Sequence, residues 1–175
     1  ARQHFIEVHG EKARDWAVCV DEPRHGLPLL ACATDRALLD GLGKVLDTGR
    51  CRLRAVRPHL AATVDALRSA FRAPAGWFVL VEPGKLVALL ARDGCWQAVT
   101  SRHSADWTGE LVAMLERTSR MQGLSDPPRD VWLWGVPEIP LPVSPAWRFH
   151  WLQPRAGAPR EVARLLAFAF ASAAP

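Results

Sequence analysis

Lysine is scarce in this sequence. Of 22 basic residues only Lys12, Lys44 and Lys85 are lysines, and the other 19 are arginines. Together with the high alanine content, that bias reads as the mark of a GC-rich genome rather than a design for nucleic acid. The charge excess is small as well: 22 basic against 18 acidic residues leaves +4, only a weak pointer to acidic partners. Cysteine occurs four times and never as C-x-x-C. Cys19, Cys32, Cys51 and Cys95 lie far apart among Val, Ala, Leu and Trp neighbours, the company of small buried thiols. That argues against a disulfide framework and for a reducing compartment. No apolar run reaches membrane-spanning length, and the first 15 residues are too charged for a signal peptide. The chain begins at Ala1 without a methionine, as a processed or engineered piece of a longer protein would.

Chemical motifs are equally sparse. There is no G-x-S-x-G and no P-loop. The histidines His4, His9, His25, His59, His103 and His150 show no ligand spacing with one another or with the cysteines. No catalytic residue and no metal site is assigned on these grounds.

What is present is fold information. The 175 residues are 49% hydrophobic and 23% charged, enough for one well-buried domain or two small ones. "HFIEV", "WAVCV" and "LPLLACA" read as three strands, rich in β-branched and aromatic residues. Thr34 and Asp35 offer N-cap chemistry to a helix whose apolar positions are Leu38, Leu39, Leu42, Val45 and Leu46. "RCRLRAV" alternates like a strand, and Pro58 opens a second helix with Leu60, Val64, Leu67 and Phe71 on one face. Residues 77–102 read as three consecutive strands, with Asp93-Gly94 as a hairpin signal. "WFVLV" and "LVALLA" do not alternate, so these strands are expected to be buried on both faces, with helices on both sides of the sheet. Trp107, Leu111, Met114 and Leu115 mark the next helix, capped by Asp106 or Thr108. "VWLW" is a further buried strand, and "GVPEIPLPVSP" has too many prolines for anything but an extended loop. "WRFHWL" suits an outer strand, with Trp147, Phe149 and Trp151 on one face and Arg148 and His150 on the other. Pro159 opens a last helix. The order is a layered α/β architecture with mixed sheets, in two subdomains, 1–75 and 76–175, the second opened by a three-strand meander. The strand and helix order also suggests a weak structural duplication between them.

Three stretches in succession carry a family resemblance: "LPLLACATDRALLDGLGKVLDTG", "LRAVRPHLAATVDALRSAF" and "WFVLVEPGKLVALLARDGCWQAV". Over about two-thirds of the chain they resemble the actin-like, ribonuclease-H-like cytoplasmic proteins of type IV pilus assembly and type II secretion (PilM-like and GspL-like). The resemblance implies the ribonuclease-H-like architecture of actin-like ATPase domains. In ATP-binding members the last hairpin reads Asp-x-Gly followed by Ser or Thr. The Asp organises a metal-bound water, and the small turn brings backbone N–H groups to phosphate. The matching positions here are Glu82, Pro83 and Gly84, then Lys85 and Leu86. The carboxylate is longer, the hydroxyl is missing, and Pro83 removes a donor. Where the family pairs glycines against adenosine, this chain has Gly135 alone. Glu82, Gly84, Lys85 and Gly135 thus form a degenerate nucleotide site, against the plainer reading of an ordinary tight turn. Hydrolysis of the ribonuclease H kind is not expected, because it needs several carboxylates on adjacent strands, and the buried strands offer only Glu82.

The function implied is that of a non-catalytic scaffold, binding proteins at the cytoplasmic face of a bacterial inner membrane without inserting into it. No cofactor is expected. The alternative is an ATPase or small-molecule kinase that uses ATP and Mg, with further loops outside this chain. For a partner face, strand period would place Arg50, Arg52 and Arg54 opposite Cys51, Leu53 and Ala55, with Arg57 nearby. Such a face suits an acidic protein segment. With no stacking aromatic interleaved, nucleic acid is not expected. The plainer reading is a solvated face with its Arg stems over apolar neighbours. Exposed strand edges are a second route to association, and the oligomeric state stays open.

Overall fold

A computed structural model of the chain describes residues 1–20, 30–49, 51, 53–67, 75–135 and 140–152. It divides into two units, Ala1–Pro58 and His59–Pro175.

The first unit opens with helix α1, Arg2–His9, and a short 3-10 turn, Glu11–Asp15. "HFIEV" is therefore helical, not extended as its composition suggests. Phe5 and His9, four residues apart, share a helix face, and their rings pack on Trp16 at 6.3 and 5.1 Å. Gln3 donates to Glu7 at the same spacing, 3.3 Å. Local packing of this kind outweighs β propensity. Strands β1, Trp16–Val20, and β2, Ala31–Asp35, pair antiparallel with Trp16 opposite Asp35. Asp35 then caps helix α2, Arg36–Thr48, its Oδ1 accepting from the Ala37 N–H at 2.8 Å. Helix α2 has no buried residue, and Leu38, Leu42 and Val45 are exposed. Among the described residues, Ala13 is the only buried hydrophobic of this unit.

Two expectations fail here. The described part of "RCRLRAV" has no regular structure, and Leu53 and Val56 are both exposed. A strand must pair its N–H and C=O groups, and among the described residues the β1–β2 sheet contains only those two strands. Nor are the cysteines buried: Cys19 and Cys51 are exposed, and Cys32 and Cys95 are half-buried. Their apolar neighbours lie in thin or edge elements. Among the described residues this unit has two strands, against five in the second.

The second unit is a five-stranded sheet with helices on both faces. Its elements are α3, His59–Leu67; β3, Ala75–Glu82; β4, Lys85–Arg92; β5, Cys95–His103; α4, Trp107–Met121; β6, Asp130–Trp134; and β7, Arg148–Trp151. The strand order is β5-β4-β3-β6-β7. β3, β4 and β5 form an antiparallel meander, while β6 runs parallel to β3 and β7 parallel to β6. Asp93 and Gly94 both have positive φ, 53° and 73°, as a type I′ hairpin turn requires. The unbroken apolar runs are explained by the two faces. Trp77, Val79, Val81, Leu86, Ala88 and Leu90 pack with Leu111, Met114 and Leu115 of α4. Phe78, Leu80, Val87 and Leu89 point the other way and pack with Val64 and Leu67 of α3. Each Val, Leu, Met or Phe among them contributes about 1.5–3 kcal/mol when fully buried. Asp106 caps α4 by accepting from the Gly109 N–H at 3.2 Å. Helix α3, which the sequence places within 1–75, packs on the sheet of the second unit. Phe71 and the helix expected from Pro159 lie outside the described residues.

Candidate functional site

The turn between β3 and β4 is set by two facts. Glu82 ends β3 and Lys85 begins β4, and the two are direct cross-strand partners. Between them Gly84 has φ +68, the left-handed value that the position after proline takes in a type II turn. The Gly84 carbonyl accepts from the Ser104 N–H at 3.0 Å, which ties the turn to the residue following β5. Gly135 follows β6 with φ +151, and a Cβ there would overlap the Val81 carbonyl oxygen. Only glycine allows this approach. Glu82, Gly84, Lys85 and Gly135 are thus brought to one end of the sheet, beyond the carboxyl ends of β3 and β6. In open α/β sheets that is the end where ligands bind.

A residue that sequence reasoning missed completes the group. His59, at the start of α3, places Nδ1 2.7 Å from Oε1 of Glu82, with the two side chains 27% and 26% exposed. Thr63, fully buried, donates to the His59 carbonyl at 2.8 Å and steadies that first turn. His59 Nε2 is buried without a hydrogen-bond partner among the described residues. Nothing in sequence spacing links residues 59 and 82; only the packing of α3 beside the end of β3 does. Chemically the group offers a carboxylate–imidazole couple, a half-buried ammonium and a tight turn lacking one N–H. One carboxylate oxygen already faces a ring nitrogen. Among the described residues no cluster of three or more His, Cys, Asp or Glu is arranged to hold a metal ion.

Only half of the expected arginine face falls within the described residues. Arg54 and Arg57 lie exposed in the irregular segment before α3, while Arg50 and Arg52 lie outside the described residues. No strand aligns those that are described.

A second polar cluster sits at the opposite end of the parallel strands. Asp130 and Arg148, the first residues of β6 and β7, are register partners. Arg148 donates to both oxygens of Asp130, at 2.9 and 2.6 Å, and His150 Nε2 lies 2.9 Å from Oδ1. The Arg148 guanidinium, aided by His150, pulls the Asp130 carboxyl down to about 2. The His150 ring stacks on Trp132 at 5.8 Å, and Trp132 in turn lies against Gly76, where any Cβ would overlap it. An open cleft of about 360 Å³ lies alongside, lined by Arg92, Arg129 and Arg148 with Asp126 and Asp130. The cluster clamps the edge strand β7 to the sheet.

No protein-family model matches the chain. No curated protein matches it in sequence. Solved structures do match. One is a protein from Bacteroides thetaiotaomicron described as having an actin-like ATPase fold and unknown function. It has a TM-score of 0.52 at 9% identity, over 78% of this chain and 52% of that one. Another is the PilM–PilN type IV pilus biogenesis complex, with a TM-score of 0.57 at 13% identity, over 77% of this chain and 53% of that one. The chain spans about half the length of each. At such identities the likeness is one of fold, and the fold of this chain is that of the actin-like ATPases.

Proposed function

We propose that this chain is a non-catalytic, actin-like scaffold that binds other proteins in a pilus- or secretion-type assembly on the cytoplasmic side of a bacterial inner membrane. The observation that carries this reading is the 2.7 Å contact between His59 and Glu82. In ATP-hydrolysing relatives of this fold, the corresponding carboxylate must be available to a metal-bound water. Here an imidazole occupies one of its oxygens, Pro83 takes a donor from the turn, and no hydroxyl follows Gly84. A remnant of the nucleotide site made of Glu82, Gly84, Lys85 and Gly135 is then a structural corner. The likeness to a PilM–PilN complex supports a protein partner in a membrane assembly. No helix among the described residues is long and apolar enough to cross a membrane. Arg54 and Arg57, exposed before α3, are the proposed contacts for an acidic segment of that partner.

Calorimetric titration of Mg-ATP into the chain tests the reading. No binding heat and no thermal stabilisation are expected. Micromolar binding that disappears in Lys85→Ala would overturn it and make the hairpin a working phosphate loop of an ATPase or kinase.

A further inference from the structure

Cys19 and Cys32 are direct partners in the antiparallel register of β1 and β2. Residues opposite one another in such a ladder have Cα atoms about 4.5–5.5 Å apart and side chains on the same face. That lies inside the span a disulfide bridges, roughly 4.4–6.8 Å between Cα atoms. The same register makes them the facing pair next to the last of the ribbon, with Val20 opposite Ala31 beyond them. Cys19 is exposed, and Cys32 is half-buried. Neither other cysteine has such a partner: Cys95 stands opposite Arg92, and Cys51 lies outside the ladders.

We propose that Cys19 and Cys32 form a site of reversible oxidation, a cross-strand disulfide that staples the β1–β2 ribbon when the surrounding thiol–disulfide pool turns oxidising. The oxidant is a low-molecular-weight disulfide such as glutathione disulfide. The exposed Cys19 thiolate attacks one of its sulfurs and expels one glutathione thiolate. The Cys32 thiolate then attacks the Cys19 sulfur of the mixed disulfide and expels the second. Two protein S–H bonds are lost and one S–S bond forms, while the oxidant's S–S bond is reduced and its two thiolates take up the two protons. Burial, and then the adjacent Cys19 thiol, push the Cys32 thiol above its ordinary range. The closing step therefore accelerates as pH rises.

The ribbon gains from such a staple because it has little else. A two-stranded sheet is marginal by itself, and this one belongs to a unit whose only buried hydrophobic among the described residues is Ala13. Where a core is thin, a covalent link across it supplies what burial does not.

The test is to incubate the full, folded chain with glutathione disulfide at mildly alkaline pH, block free thiols, and map disulfides by peptide mass spectrometry. The expected product is a single intramolecular Cys19–Cys32 link that dithiothreitol reverses. It should persist in the double variant Cys51→Ser/Cys95→Ser and vanish in Cys19→Ser, and limited proteolysis within residues 1–58 should slow on oxidation. A glutathione adduct that stays on Cys19 without closing would overturn the proposal. So would pairing through Cys51, or a 19–32 link that forms only after denaturation.

Discussion

Glycine 135 shows how much one residue without a side chain can hold in place. Its φ of +151 and the Val81 carbonyl beside it leave no room for a methyl group. Gly135→Ala is expected to cost about 1–3 kcal/mol, seen as a lower urea midpoint with an unchanged slope. Asp130 makes a second prediction at this scale. Its folded carboxyl titrates near 2 against an ordinary value of 3.8, so the folded state binds that proton less readily than the unfolded chain. The stabilisation is complete above about 3.8 and is lost as pH falls toward 2. Asp130→Asn should flatten the acid limb of stability, and urea midpoints taken across that range for both proteins would show it. Neither role was visible beforehand. The sequence singled out Gly135 for a missing companion glycine, and placed Arg148 and His150 on an outer face without revealing that Asp130 sits between them.

Elements divide according to whether they found something to cover. Helix α4 and helix α2 carry similar apolar stripes in sequence, yet Leu111 is fully buried and Leu38 is 55% exposed. Leu111→Ala should therefore destabilise by about 2–5 kcal/mol. Leu38→Ala should change stability by no more than about 0.5 kcal/mol. Chemical denaturation of the two variants side by side would check the contrast, and equal effects would mean that α2 is covered by something not described here. Periodicity told where both helices lie, and their caps at Asp35 and Asp106 agree with it. It had no means to tell which stripe meets a sheet, since that depends on residues distant in the chain. The same limit explains the two strand assignments that failed. "HFIEV" has strand composition but closes its ring contacts along a helix, and the described part of the arginine stretch alternates without pairing to any strand among the described residues.

At the scale of the whole molecule the buried side chains are concentrated in one place. Among the described residues, all the buried hydrophobics except Ala13 belong to the unit that begins at His59. Expressed alone, His59–Pro175 should melt cooperatively, while Ala1–Pro58 alone should show no cooperative transition in circular dichroism. The reverse result would mean that the core is misassigned. The sequence by itself determined the strands β3 to β7 and helix α4 of the second unit. Its unbroken apolar runs demand burial on both faces, Asp93-Gly94 demands a hairpin, and an outer strand follows from the alternation of Trp147, Phe149 and Trp151. These are local signals, because pleat and turn geometry repeat over a few residues. Tertiary structure alone decided that α3 brings His59 against Glu82, that Gly135 meets Val81, and that Cys19 faces Cys32. Each of these joins residues through strand register or helix docking, and a pattern read along one chain carries no record of which distant residue lies across the gap.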